Sequence, residues 1–409
     1  MTPPKTIQLR RVTTAINDGT HGSFERVPDG VPLLSAKNVV GGHVFLSNEE
    51  SRISQEDFLL IDRTGYLRTG DVLLTIVGTI GRTAIFDCAE PVAFQRSVAS
   101  LRPSRDTDGR YLRYVLDSTF FQSQLTSATR QSAQGGVYLG DLAEARIPIV
   151  PVARQRAIAD YLDAETAHID ALIEKKRRMV ELVEVRFWTA FTASVLRDEA
   201  PQTQLRRAIV FITDGPFGSA FSSADYSEDG AAVVRLGNIG FAEYRSEEQA
   251  FIPLDLYRSF LRHRVHAGDL LIAGLGDSAN HAGRACVAPD LGPAMVKGKC
   301  FCARMHPDVA VSEYLALLLS SPFGAESIGV SGRGSTRTMI NLDVVKSTVV
   351  PLPIVARQRE IVAEAQHERR RLRVLIAALK NQIDLLAEHR QALITAAVTG
   401  ELGIPGVAA

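Results

Sequence analysis

The strongest constraint on this chain is a long amphipathic pattern that occurs twice. Residues 155–197 and 358–399 each read as one helix, introduced by ARQRAI in the first copy and ARQREI in the second. Their apolar positions step by 4, 3, 4, 3, the spacing of a coiled coil. The two seams, offset by 203 residues, are Ile158, Leu162, Glu165, Ile169, Leu172, Lys176, Met179, Val183, Arg186 and Ala190, and Ile361, Ala365, Glu368, Leu372, Leu375, Leu379, Gln382, Leu386, His389 and Leu393.

Helices of this length predict a partner of equal length. Each would span about 60 Å, which one small domain does not cover. An ordinary core stripe would explain a single copy, but two copies in one register favour an antiparallel pair. We expect Leu172 and Met179 to lie near Leu375 and Gln382. Such a pair would fix the distance between the segments at its ends.

A block of mixed sequence precedes each helix, and both blocks follow one order of motifs. In the first block, β-like runs at residues 31–40 and 71–86 alternate with glycine turns, and helical spacing follows at residues 111–125. The second block repeats this order, and its TDGPFGSAF at residues 213–221 corresponds to NDGTHGSF at residues 17–24. We predict an α+β fold with a pseudo-twofold internal repeat: block 1–150, helix 151–200, block 201–353 and helix 354–409.

Composition excludes several classes of protein. The chain carries 46 basic and 46 acidic residues, so it has no polybasic character that would by itself predict nucleic-acid binding. Four cysteines in 409 residues do not form a disulfide framework. The opening MTPPKTIQLRR lacks the apolar run of a signal peptide, and no segment has the roughly 18 apolar residues of a membrane span. We expect a cytoplasmic protein with no membrane partner.

No catalytic or cofactor motif stands out in the sequence. The glycines of IAGLGDS at residues 272–278 could belong to a nucleotide-binding turn, but no acidic residue follows at suitable spacing. The sequence contains no Walker loop, no HExxH motif and no Asn-Pro-Pro-aromatic motif of base methylation. We therefore expect no catalytic residues and no bound cofactor.

A zinc site can be drawn from His281, Cys286, Cys300 and Cys302. Structural zinc sites usually contain close cysteine pairs two to four residues apart. Cys300 and Cys302 instead alternate along a predicted strand. Buried free thiols are the better interpretation, and we expect no metal site.

Polar loops between the β-like runs are the best candidates for a binding surface. They mix Arg, Lys, Gln, Asn and Ser with Gly, and such side chains can read bases or bind phosphates. A single loop of this kind is usually a solvated turn, but two equivalent sets favour DNA recognition. The candidate contacts are Arg82, Arg96, Arg130, Gln134, Arg284, Lys297, Arg333 and Arg337.

The whole chain resembles the specificity subunits of type I restriction-modification systems. The order of block, long helix, block and long helix matches, and IPIVPVARQ and VVPLPIVARQ are similar to the family's junction Ile-Pro-x-Pro-Pro-x-x-Glu-Gln. Both copies carry Arg, at Arg154 and Arg357, where the family more often has Glu. The closing AAVTGELG also resembles the family's C-terminal end.

The resemblance implies two target recognition domains, each reading one half of a bipartite double-stranded DNA site, with the helices setting the gap. It implies a non-catalytic subunit that binds two modification subunits and, through them, restriction subunits. S-adenosylmethionine, ATP and Mg would then belong to those partners. The alternative is a two-module adaptor or scaffold that binds only proteins.

Overall fold

The chain divides into two units, and each unit contains one half of each long helix. In the computed structural model, residues 5–62, 67–131, 135–197, 199–216, 225–329 and 339–404 are described. One unit comprises Met1–Arg177 with Lys380–Ala409, and the other comprises Arg178–Leu379. These units group the chain differently from the four predicted segments, because both helices are shared between them.

The first unit is built from short strands and short helices. Its strands are β1 (Thr6–Gln8), β2 (Thr13–Asp18), β3 (Val31–Leu34), β4 (Val39–Val40), β5 (His43–Val44), β6 (Arg52–Ile53), β7 (Val72–Thr75), β8 (Thr83–Ile85), β9 (Ala93–Phe94), β10 (Val98–Pro103) and β11 (Arg146–Pro148). Its short helices are α1 (Gln55–Asp62), α2 (Gly109–Asp117), α3 (Thr119–Gln131) and α4 (Leu139–Glu144), and α5 (Val152–Leu196) follows them.

An antiparallel sheet in the order β2-β10-β7-β8 forms the frame of this unit. β1 pairs with β11, and β3 pairs with β9 in the parallel direction. The sheet packs against α2, whose Tyr111 and Tyr114 are buried. Ile158 and Leu162 of α5 join the same core, together with Ile394 from the end of the chain. The core of the first unit therefore draws on both long helices.

The second unit repeats this architecture. Its strands are β12 (Gln202–Gln204), β13 (Ile209–Asp214), β14 (Ala231–Val234), β15 (Phe251–Ile252), β16 (Leu270–Ala273), β17 (Ala285–Val287), β18 (Ala294–Val296), β19 (Cys300–Met305) and β20 (Val349–Pro351). Its helices are α6 (Leu254–Arg258), α7 (Ser312–Ser320), α8 (Pro322–Gly329) and α9 (Leu342–Ser347), before α10 (Val355–Thr399). Its frame is the sheet β13-β19-β16-β17, and β12 pairs with β20. The predicted α+β fold and internal repeat are confirmed.

A buried glutamine fastens each block to the helix that follows it. Gln155 and Gln358, the glutamines of the two ARQR motifs, are fully buried. The amide of Gln155 donates to the carbonyls of Asp106 and Val150 and accepts from the backbone N–H of Asp108. That of Gln358 makes the same three bonds with Val309, Pro353 and Val311. The duplicated motif therefore makes the same three bonds at both helix starts.

Polar contacts fix the direction of the long helices within each unit. In the first unit, Lys176 Nζ donates to Gln382 Oε1 at 2.6 Å, and Arg390 lies 2.9 Å from Asp170. In these contacts the residue numbers of α5 increase while those of α10 decrease, so the two helix halves run antiparallel. In the second unit Ser194 donates to Glu364 at 3.4 Å and Arg369 lies 5.8 Å from the centre of the Phe187 ring, so these halves are also antiparallel. The predicted antiparallel pairing is confirmed within each unit.

The predicted seam is correct at alternate positions and displaced by one residue at the others. Ile158, Leu162 and Ile169 are buried as predicted, but Met179 is 48% exposed and Leu375 is 43% exposed. In α5 the interior positions that replace the predicted ones are Thr166, Ile173, Val180, Phe187 and Phe191. After Leu162 the next interior residue is four positions further on rather than three, and this shifts every second seam position by one residue. The expectation that Met179 and Leu375 occupy the seam is therefore wrong.

None of the helices in the described ranges is long and apolar enough to cross a membrane.

Candidate nucleic-acid interface

The candidate loops of the first unit leave the sheet from one edge. β2 ends at Asp18 and β7 ends at Thr75, whereas β10 begins at Val98 and β8 begins at Thr83. Because neighbouring strands are antiparallel, these four strand ends lie side by side. We call the segments beyond them, residues 19–22, 76–82 and 95–97, together with residues 135–137, which pair with residues 76–77, the loop edge.

Backbone hydrogen bonds tie the four segments of this loop edge together. The amide of Arg96 donates to Thr20 O at 3.2 Å, and the amide of Ile76 donates to Ser97 O at 2.9 Å. The amide of Val137 then donates to Ile76 O at 3.0 Å. The loop edge is consequently a continuous backbone surface rather than a set of independent loops.

The second unit has an equivalent loop edge, formed by residues 215–216, 274–284, 297–299 and 339–340. The amide of Gly215 donates to Gly298 O at 3.1 Å, and that of Gly274 donates to Lys299 O at 2.7 Å. The amide of Ile340 donates to Gly274 O at 3.0 Å. The same chain of contacts therefore joins the same four segments in both units.

One glycine in each unit permits the close approach of the first two segments. A Cβ on Gly19 would lie 2.3 Å from Phe94 O, and a Cβ on Gly215 would lie 2.3 Å from the carbonyl carbon of Lys297. Real Cβ atoms do not come so close to backbone atoms. The glycine that the NDG and TDG motifs share thus allows the close backbone approach within each loop edge.

Arg82 and Arg96 lie on the first loop edge with exposed side chains. Their backbones are held by Thr75 and Thr20: Arg82 N donates to Thr75 Oγ1 at 2.9 Å, and Arg96 N donates to Thr20 O at 3.2 Å. Within the described part of the chain, neither guanidinium makes a hydrogen bond or ion pair. Both cations are therefore available to an external anion or base.

Arg284 occupies the position that corresponds to Arg82, but its side chain is only 5% exposed. Its guanidinium donates to the carbonyls of Ile239, Leu275 and Leu236 at 2.8 to 3.1 Å. Burial lowers its pKa, against the opposing charge of Asp277. These bonds give Arg284 a structural role, and its burial contradicts the predicted DNA contact.

The length of one loop explains this difference. Residues 76–82 join β7 to β8, whereas residues 274–284 join β16 to β17, so the second loop has eleven residues against seven. The longer loop supplies the carbonyls of Leu275 and His281 that bind Arg284. A comparison of the two loop lengths in the sequence could have indicated this role.

Lys297 lines a basic cleft on the second loop edge. Its ammonium donates to Tyr226 Oη at 3.0 Å and lies 4.9 Å from the centre of that ring. The cleft has a volume of about 340 Å³, and Arg235 and Lys299 also line it. Glu248 in its wall lies 3.6 Å from Arg235. Arg235 and Lys299 are not among the predicted contacts, although Lys299 lies only two residues after Lys297 in the sequence.

Four predicted contacts cannot be placed on this surface. Gln134, Arg333 and Arg337 lie outside the described residues, as does the side chain of Arg130, whose backbone belongs to α3. They remain predictions.

The cysteines of the second unit lie in an apolar cluster. Cys286, Cys300 and Cys302 are buried with Val234, Ile239 and other apolar side chains. Burial raises the pKa of Cys286 and of Cys300 to about 12, so both thiols are protonated at neutral pH. Among the residues that the structure describes, no group of three or more His, Cys, Asp or Glu side chains could hold a metal ion.

Comparison with known proteins finds similarity to specificity subunits. Residues 30–182 match the family model of the type I restriction modification DNA specificity domain. The specificity subunit of the EcoKI type I restriction enzyme from Escherichia coli K12 is 23% identical, covering 96% of this chain and 87% of that protein. The EcoBI specificity subunit of Escherichia coli is 21% identical, covering 93% and 81%.

A solved structure supports the same fold. A chain from a structure that addresses complex assembly and conformational transition of the type I R-M system superposes with a TM-score of 0.66. The alignment covers 98% of this chain and 99% of that chain at 16% sequence identity. The likeness extends over both units and both long helices.

Proposed function

We propose that the chain is a specificity subunit of a type I restriction-modification system and that it recognises DNA sequence for such a complex. Each loop edge would read one half of a bipartite double-stranded site. The subunit itself is not an enzyme. In this proposal, S-adenosylmethionine, ATP and Mg act in the partner subunits.

The duplicated loop edge is the observation that carries the proposal. The two edges share one pattern of backbone hydrogen bonds, while their side chains differ at equivalent places. Arg82 is exposed where Arg284 is buried, and Arg96 stands where the second unit has Gly298. A common frame with different side chains suits two surfaces of one type that read different sequences, because base-edge contacts specify sequence.

The loop edges combine the chemistry that DNA binding requires. Exposed guanidinium groups can bind guanine or phosphate through two parallel hydrogen bonds, and ammonium groups bind phosphate as point charges. The first edge carries Arg82 and Arg96, and the cleft of the second carries Lys297 and Lys299. The balanced total charge is compatible with this, because partner subunits can supply further phosphate contacts.

The long helices would set the gap between the half-sites and dock two modification subunits. In the second unit, Leu182 and Val185 lie three residues apart on one face of α5 and are exposed, and Val374 of α10 is 72% exposed. Exposed aliphatic residues at helical spacing suit an interface with another protein. Restriction subunits would join through the modification subunits.

An exchange of the first block tests the proposal. Residues 1–150 should be replaced by the first block of another specificity subunit, because a junction after β11 keeps its pairing with β1 intact. The chimera and the parent are each assembled with modification subunits, and methylated adenines are located by sequencing. One half of the recognised site should change and the other half should persist.

Two results would contradict the proposal. A folded, active chimera in which both half-sites change would show that one block does not read one half. Absence of salt-sensitive DNA binding by the assembled parent complex would favour the adaptor alternative, since phosphate contacts release counterions and weaken as salt rises.

A further inference from the structure

A tight turn at the start of β10 presents Arg96 on a rigid base. The amide of Val98 donates to Gln95 O at 3.0 Å and closes the turn. Neighbouring segments hold it from two sides, because Gln95 N donates to Leu34 O at 2.9 Å and Arg96 N donates to Thr20 O at 3.2 Å. The backbone is therefore fixed, and only the side chain of Arg96 is left to adapt.

The guanidinium of Arg96 carries donors that the protein leaves unused. The side chain is exposed, and within the described ranges no carboxylate or carbonyl accepts from it. A planar fork of N–H groups matches the N7 and O6 acceptors of guanine in the major groove. Because the backbone of Arg96 is held in place, its planar guanidinium favours recognition of a single base over a diffuse attraction to phosphates.

The corresponding turn of the second unit is closed in the same way but carries no arginine. The amide of Cys300 donates to Lys297 O at 3.2 Å. Gly298 takes the place of Arg96 and has a φ of +59°, a conformation that L side chains rarely adopt. An arginine there would be strained, whereas Arg96 has no positive φ. The two turns therefore differ both in conformation and in the donors that they can offer.

We propose that Arg96 is a specificity-determining residue that reads a guanine in the half-site of the first unit. The second unit reads its half-site without this contact, because Gly298 stands at the equivalent position. This inference rests on the proposed function and adds to it the identity of one base and of its reader.

The test uses the specificity subunit assembled with modification subunits. Arg96→Ala and Arg96→Lys are compared with Arg105→Ala, an exposed arginine beyond the other end of β10. That six-residue strand places the control about 20 Å away. Binding is measured by competition among DNA duplexes that carry every base at each position of the site, at several salt concentrations.

Arg96→Ala should lose about 5- to 150-fold in affinity for the native site and accept other bases at one guanine position of one half-site. Arg96→Lys should keep the salt dependence but lose preference at that position, since an ammonium lacks the fork. Arg105→Ala should retain the affinity and the sequence preference of the parent.

The outcomes distinguish a failure of the proposed function from a failure of the inference about Arg96. A parent complex without sequence preference would overturn the proposed function. If the parent is selective but Arg96→Ala weakens all duplexes equally and lowers the salt slope by about 0.9, Arg96 contacts a phosphate and the inference is wrong. It is equally wrong if Arg96→Ala matches Arg105→Ala in a selective complex.

Discussion

Gly19 shows how a residue without a side chain shapes the recognition surface. The first loop edge exists because two segments approach so closely that a Cβ at this position would overlap Phe94 O. Gly215 repeats the arrangement against Lys297. The arginines and lysines of each edge are thus presented on a backbone whose spacing depends on one glycine.

Gly19→Ala should destabilise the first unit by about 1–3 kcal/mol, because the backbone must move to accept the methyl group. Gly140→Ala is the matched control, since Gly140 lies in α4 and its added Cβ would meet no atom within 4 Å. The control should change stability by less than about 1 kcal/mol. Urea unfolding followed by circular dichroism measures both variants. Equal stability of Gly19→Ala and the parent would contradict the packing argument.

Asp269 gives the second unit a dependence on pH. Arg304 donates two hydrogen bonds of 2.9 Å to this buried carboxylate. Burial alone raises the pKa of Asp269, but the bonds from Arg304 and from the His266 amide outweigh it, so the pKa lies below its ordinary value. A carboxyl with a depressed folded-state pKa contributes stability above its unfolded pKa of about 3.9, and this stability is lost as pH falls through the folded value.

Arg304→Met should therefore be less stable than the parent at pH 7, by about 1–3 kcal/mol, because it leaves a buried carboxylate without its partner. The difference should shrink as pH falls, because Asp269 becomes protonated first in the folded variant, which lacks the guanidinium, and only at lower pH in the folded parent. Trp188, the one tryptophan of the sequence, lies in the second unit and reports its unfolding by fluorescence. Exposed Arg262→Met is the control, and a difference that stays constant with pH would refute the linkage.

At the scale of elements, the long helices were the most predictable part of the chain, and their contacts the least. Apolar spacing and the prolines before each helix predict two long helices with starts near Gln155 and Gln358. The one-residue displacement of the seam follows from a single extra four-residue step after Leu162, which places Thr166 in the interior. Periodicity does not reveal such a step when the alternative position, Glu165, is also polar.

The observed pairing predicts a specific cross-link. Lys176→Cys with Gln382→Cys should be joined by a short bismaleimide, because these side chains touch in the antiparallel pair. Lys175→Cys with Gln382→Cys is the control, since residue 175 points about 100° away around the helix. Mass spectrometry of the proteolysed product identifies the linked peptides. A control that cross-links as fast as the test pair would mean that this register is wrong.

The loop edges illustrate what sequence alone does not determine. The repeated order of motifs predicts two equivalent frames, and it correctly brings Arg82 and Arg96 to the exposed edge of one sheet. It misassigns Arg284 because chemical type says nothing about the carbonyls that surround it, two from the longer loop and two from residues 236 and 239. Exposure depends on the path of neighbouring segments, and that path is a property of the folded unit.

At the scale of the whole molecule, duplication separates what is shared from what varies. Tyr111 and Tyr314 each donate to a proline carbonyl, Pro148 and Pro351, and the buried glutamines repeat their bonds at both helix starts. These contacts lie away from the loop edges. Side chains on an edge can consequently change while the core and the helix junctions stay the same.

The packing of the C-terminal residues has a consequence for synthesis on the ribosome. Ile394, Ala397 and Val398 belong to the core of the first unit, and Leu402 and Ile404 pack against it. The second unit ends at residue 379, whereas the first unit takes the segment from residue 380 onward. The first unit emerges earlier but waits for the last helix to close its core. Translation that stops short of residue 394 would leave the core of the first unit without these side chains.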